Sequence, residues 1–347
     1  MRSPKNRAIL AVAGALKTQT VIDDALADPS RRVLITTYTL QNMEQIAARI
    51  RERVGFVPAQ MHLSSWYTFL LRHGARPYQH SVLGDIGLVR GLDFDGKRNR
   101  FAKKTERRYF IDRHGDMYRD GVADFVCLAN TNSGGLVIER LEALYDQIYI
   151  DEVQDLVGFD LDVLDLLFAS RIAITVVGDP RQHTLATSTV SRNGKYRGVG
   201  FADWLVERRD TCQTENRLVS VRCNADICAF ASSVFPELPP LQAGQTTTTS
   251  HDGIFMIEPL EVQEYYERHR PIVLRDSKRT DTFGLPAMNF GVAKGSTFDR
   301  VLIFPTKPMR VFLQSGDASK LSAPERLYVA VTRARHSVAF VASGGSS

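Results

Sequence analysis

The chain is an α/β protein on its sequence, with parallel sheets covered by helices, and three observations predict it. Apolar runs rich in β-formers alternate with stretches of helical period, the sequence form of strand–helix–strand units. At 347 residues and 44 % hydrophobic content, there is material for two domains, each with its own core. No internal repeat of the solenoid kind interrupts this alternation.

Strands are expected at 8–12, 32–36, 147–150, 172–177, 253–257, 272–274, 300–304 and 337–341, where short apolar runs are bounded by turn residues. Helical periodicity marks 19–27, 40–54, 65–73, 136–144, 161–169, 223–234 and 323–334. A basic stretch at 96–120 breaks the pattern. Its Lys97, Arg98, Arg100, Lys103, Lys104, Arg107, Arg108, Tyr109 and Phe110 form either a small inserted subdomain within about 84–131 or a solvated charged surface. The prolines of 236–240 and the threonines of 246–249 read as a surface segment rather than a domain boundary.

Charge is mildly positive, 44 Lys+Arg against 39 Asp+Glu for a net +5, which permits a polyanion partner without requiring one. The four cysteines, Cys127, Cys212, Cys223 and Cys228, fit neither a zinc site nor a disulfide framework and read as plain thiols in a reducing compartment. The apolar run after the N-terminal Met-Arg-Ser-Pro-Lys-Asn-Arg is too short for a signal peptide or a membrane span, so a cytoplasmic location and no membrane contact are expected.

Residues 147–155, Gln-Ile-Tyr-Ile-Asp-Glu-Val-Gln-Asp, run a buried strand straight into paired carboxylates. Such a pair suits nucleotide hydrolysis: Asp151 joins the shell of a Mg²⁺ ion on the phosphates, and Glu152 orients the attacking water. The strand at 172–177 then ends in Gly178-Asp179-Pro180-Arg181-Gln182, placing a further polar group beside a γ-phosphate. A phosphate loop has to follow the first strand, and Ala11-Val12-Ala13-Gly14-Ala15-Leu16-Lys17-Thr18 is the candidate. Backbone N–H groups from Gly14 to Thr18 would wrap a β-phosphate, Lys17 would reach the β/γ oxygens and Thr18 would ligate Mg²⁺. Leu16 stands where glycine is usual, at a position whose backbone conformation a Cβ hinders.

Further segments complete a pattern that resembles the UvrD/Rep-like superfamily 1 DNA helicases, in that family's motif order and through most of the chain. Thr36-Thr37-Tyr38-Thr39-Leu40-Gln41-Asn42 and Met61-His62-Leu63-Ser64-Ser65-Trp66 resemble its single-strand-binding motifs. The resemblance makes Thr37, Tyr38 and Ser65 DNA contacts, and Trp66 either a stacking residue or core. Val221-Arg222-Cys223-Asn224 resembles the segment with the first arginine finger, Arg222, with Arg217 the alternative. Asn289 to Asp299, including Lys294-Gly295-Ser296-Thr297-Phe298, resembles the motif coupling nucleotide to DNA, so that Lys294 touches DNA and Gly295 the nucleotide. Tyr328-Val329-Ala330-Val331-Thr332-Arg333-Ala334-Arg335 matches the last motif almost letter for letter and makes Arg333 the second finger.

The resemblance implies two RecA-like parallel-sheet domains of the P-loop NTPase kind, 1–207 and 208–347, with ATP and Mg²⁺ in the cleft between them. Asp151, Glu152, Gln182, Arg222 and Arg333 would carry hydrolysis, since each finger presents a planar charged fork to phosphate oxygens as charge builds up. It also implies ATP-driven movement along single-stranded or partly duplex DNA. A compact member, lacking the large second-domain insertion, is expected as an accessory subunit beside a nuclease or ATPase in DNA repair or phage defence. Three departures lie on the nucleoside side: no Leu-Asn-x-x-Gln element precedes the phosphate loop, Leu185 stands where a tyrosine commonly stacks on adenine, and Thr297 replaces a ribose-holding glutamate. They motivate the alternative of a weakly or non-hydrolysing nucleotide- or DNA-sensing module. An RNA-directed motor is the third possibility, because stacking and phosphate grips are sequence-tolerant.

Overall fold

The computed structural model describes residues 5–84, 88–96, 98, 99 and 101–342; Lys97 and Arg100 of the basic stretch, and residues 85–87 and 343–347, lie outside them. The chain divides into two compact units. The first comprises Met1–Leu10, Lys17–Pro180 and Leu185–Glu215, and the second Ala11–Leu16, Arg181–Thr184 and Asn216–Ser347.

In chain order the first eight strands are β1 (Asn6–Ala11), β2 (Val33–Thr37), β3 (Met61–Ser65), β4 (Gly91–Asp93), β5 (Asp116–Tyr118), β6 (Gln147–Asp151), β7 (Ala173–Gly178) and β8 (Cys212–Arg217). Six of them form one sheet in the order β3-β2-β6-β7-β1-β8, and the pairs from β3 through to β1 are parallel. Every residue of β2 and β6 is buried, as strands covered by helices on both faces must be. This order sets the C-terminal ends of β6, β7 and β1 side by side. Those ends carry the acidic pair, the Gly-Asp-Pro-Arg-Gln turn and the phosphate loop, on the edge of an α/β sheet where ligands bind.

Helix α1 (Lys17–Leu26) starts at Lys17, the lysine of the candidate phosphate loop, and α2 (Leu40–Val54) follows β2. The hydroxyl of Thr39 accepts from Asn42 N to cap α2, and Gly55, at φ +88°, ends it. The helix expected at 65–73 forms as Trp66–Phe69 and then widens into a π-helical turn, Leu70–Ala75. The stretch around 84–131 shares the core of its unit rather than carrying one of its own: Phe110 and Phe125 meet edge to face at 5.1 Å, and helix Val122–Asn132 buries Val122, Phe125, Val126 and Ala129. Some of its cations serve structure. Arg98 and Lys104 both pair with the buried carboxylate of Asp124.

The second unit has a short parallel pair, β9 (Val219–Ser220) with β10 (Gln242–Ala243), and a five-stranded sheet. That sheet contains β11 (Gly253–Ile257), β12 (Ile272–Arg275), β13 (Ala287–Asn289), β14 (Phe298–Phe304) and β15 (Ala334–Val341), in the order β11-β15-β14-β12-β13 with every pair parallel. Its helix Pro324–Val331 is buried from Leu327 to Val331, which fixes the last motif in the core. The cysteines are free thiols, three of them buried. No described helix is long and apolar enough to cross a membrane.

Candidate functional site

The candidate phosphate loop is a tight turn closed by Ala15 N to Val12 O at 3.1 Å. Leu16 stands at φ +55°, the left-handed conformation expected to favour glycine there, and its side chain is 56 % exposed. Gly14, at φ +79°, is needed for space as well: a Cβ would lie 2.5 Å from Ser220 Oγ and 2.7 Å from Arg222 Cβ. Within the second unit the loop is held by Val12 N to Arg217 O (3.0 Å), Val221 N to Gly14 O (3.1 Å) and Ala13 N to the Tyr328 hydroxyl (3.2 Å). Ala15 and Leu16, with Leu218, Val219, Val221 and Gln242, bound a cavity of about 470 Å³ beside it.

In the first unit, Thr18 Oγ1 donates to Asp151 Oδ2 at 2.9 Å, bringing the first turn of α1 onto the end of β6. Asp151 is 4 % exposed, and its pKa is pushed up to about 6, by burial first and by neighbouring Glu152 second. Glu152 occupies the left-handed region at φ +58°. Its carboxylate accepts from Gln154 Nε2 at 2.5 Å, while Gln154 Oε1 accepts from Asp179 N at 3.0 Å, so Gln154 ties the acidic pair to the turn after β7. Gly178 permits that contact, since a Cβ there would lie 2.4 Å from Gln154 Oε1. A hydroxyl and a buried carboxylate are hard oxygen donors that suit Mg²⁺.

The second unit holds the candidate arginines. Arg222 Nη1 donates to Thr332 O at 3.0 Å. Arg333 is 2 % exposed; its guanidinium donates to Val329 O (3.0 Å), Thr332 Oγ1 (3.2 Å) and, at 3.4 Å, to Ser296 O and Gln182 Oε1. Gln182 and Arg333, far apart in sequence, are thus brought together. Lys294 Nζ donates to Gln182 O at 3.3 Å, which places it on the Gly-Asp-Pro-Arg-Gln turn, and Gly295 follows at φ +86°.

The residues expected to touch DNA fare unevenly. Trp66 has to be corrected: it is 1 % exposed in the core and gives its indole N–H to Asp160 Oδ1 at 2.7 Å, leaving no ring face for a base. Ser65 is buried with its hydroxyl engaged by the Thr68 hydroxyl and backbone N, the role of a helix cap. Thr37 is 2 % exposed, and its hydroxyl has no hydrogen-bond partner among the described residues. Tyr38 is half-buried and meets Tyr67 edge-on at 5.8 Å.

No protein family and no curated protein matches the sequence. Solved structures do. The chain matches arterivirus nonstructural protein 10, a helicase, at 14 % identity and TM-score 0.50, covering 97 % of this chain and 59 % of that one. The same arterivirus protein in complex with DNA matches at 15 % identity and TM-score 0.50, with 97 % and 60 % covered. The PRRSV helicase structure matches at 17 % identity and TM-score 0.48, with 97 % and 52 % covered. The chain shares the fold of the arterivirus helicase structures. The chain spans 60 % or less of the length of these helicases.

On that fold, two contacts at the site went unread in the sequence. Tyr328 stands in the last motif, and its hydroxyl accepts from Ala13 N in the candidate phosphate loop. Asp160 belongs to no motif, yet it anchors both Trp66 and Thr187 from the core. Pairing across so long a separation leaves no local signal.

Proposed function

We propose that the chain is an ATP-dependent motor on single-stranded nucleic acid, DNA in the first instance, of the UvrD/Rep-like kind that its motifs resemble. The carrying observation is the Thr18–Asp151 contact, which joins the phosphate-loop helix to the acidic strand at 2.9 Å. Lys17 grips the β- and γ-phosphates, with the loop's backbone N–H groups around them. Thr18 and Asp151 would hold Mg²⁺, which when bound neutralises phosphate charge. Glu152, fixed by Gln154, orients the attacking water, and Gln182 senses the γ-phosphate. Arg222 and Arg333 take the arginine-finger roles that the motif resemblance implies, each a planar charged fork suited to phosphate oxygens.

A fold neighbour solved with DNA supports nucleic acid as the ligand. The test is ATP-driven displacement of streptavidin from a biotinylated single strand, with DNA and RNA strands compared. Displacement by wild type and none by Glu152→Gln is expected. No displacement, together with ATP hydrolysis no faster than that of Glu152→Gln, would instead favour the weakly or non-hydrolysing nucleotide- or DNA-sensing module, a reading motivated by the strained Leu16 and by Leu185, 41 % exposed where an adenine-stacking ring is usual.

A further inference from the structure

Trp66 leaves the nucleic-acid face of the first unit without its expected stacking ring, but the structure supplies another from the segment between β3 and β6. Phe94 is 52 % exposed at the tip of a turn that Asp93 builds, its Oδ1 accepting from Asp95 N at 3.1 Å and Gly96 N at 2.7 Å. A Cβ on Gly96 would collide with that carboxylate, so the turn is tightly specified. The Phe94 ring meets Tyr67 edge to face at 5.5 Å and 84°. Tyr67 is itself anchored, 4 % exposed with its hydroxyl donating to Thr187 O at 2.5 Å, and its ring also contacts Tyr38 at 5.8 Å. One buried ring therefore holds two accessible ones. A fixed turn thus presents the half-exposed Phe94 ring at the surface.

Charge lies beside it. The parallel pairing of β4 with β5 sets Asp93 opposite Tyr118, so the next residues, Phe94 and Arg119, leave the two strands at the same end. The positive charge of Arg119 is felt by both Tyr38 and Tyr67, and its side chain, 29 % exposed, meets Asp120 at 3.5 Å. Aromatic faces beside a guanidinium are the combination by which proteins hold unpaired bases and their phosphates.

We propose that Phe94, with Tyr38 beside it and Arg119 at its flank, is the base-stacking platform for the single strand. The inference rests on the nucleic-acid reading above and adds the residues that carry it. Fluorescence anisotropy with a labelled oligothymidylate tests it on the full chain. Phe94→Ala should weaken binding about tenfold, while Phe94→Trp should stay within about twofold of wild type. Phe94→Ala should leave the salt dependence of binding unchanged, whereas Arg119→Gln should reduce its slope by about one unit. Wild-type binding that Phe94→Ala does not weaken overturns the inference and leaves the motor reading standing. Failure of wild type to bind any single strand, DNA or RNA, overturns both.

Discussion

Asp160 shows how a single residue decides what a neighbouring ring can do. Its buried carboxylate takes hydrogen bonds from the Trp66 indole and the Thr187 hydroxyl, and burial above all pushes its pKa up to about 6 from 3.8. With the folded value above the unfolded one, the folded state binds the extra proton. Stability should therefore fall as pH rises from about 4 to about 6 and level off above that. Asp160→Asn should remove this part of the slope in urea midpoints taken across that range; an unchanged slope would mean that Asp160 titrates normally. Trp66→Phe should cost about 1–3 kcal/mol at neutral pH by stripping a buried carboxylate of a donor, and should leave oligonucleotide affinity alone. Tryptophan was a reasonable sequence candidate for a base platform. Whether a given aromatic is core or platform depends on contacts such as Asp160, distant in the chain, that periodicity does not record.

Elements were more legible than their contacts. Strands β6, β7 and β14 are short, β-branched and apolar, and each was expected within a few residues of where it lies. Strand β8, Cys-Gln-Thr-Glu-Asn-Arg, is largely exposed and polar and forms only because the sheet supplies its partner, so nothing local announces it. The phosphate loop falls between these cases. The oddity of Leu16 was legible, and the residue does adopt the conformation usually left to glycine. Left-handed backbone costs leucine about 1–2 kcal/mol, whereas glycine would lose about 0.5–1 kcal/mol in chain entropy. Leu16→Gly should therefore leave the urea midpoint unchanged or raise it, and should lower the KM for ATP by freeing the loop to close on phosphate. A marked loss of stability would show that the leucine side chain packs more than its exposure suggests.

At the scale of the whole molecule, the sequence order of motifs carried more than composition did. Charge and apolar content permitted many α/β proteins; Asp151-Glu152, Gly178 to Gln182 and Tyr328 to Arg335, in that order, pointed to the helicase fold that structural likeness then showed. Within each unit the folded chain brings expected residues together, Thr18 with Asp151 in one and Gln182 with Arg333 in the other. The central claim is that these groups hydrolyse ATP in response to a bound strand. Steady-state ATP hydrolysis with and without oligothymidylate, for wild type and Glu152→Gln side by side, tests it most directly. The account predicts oligonucleotide-stimulated turnover by wild type and background turnover by Glu152→Gln, which should still bind ATP. Equal rates for the two proteins at saturating ATP, with the oligonucleotide present, would contradict it.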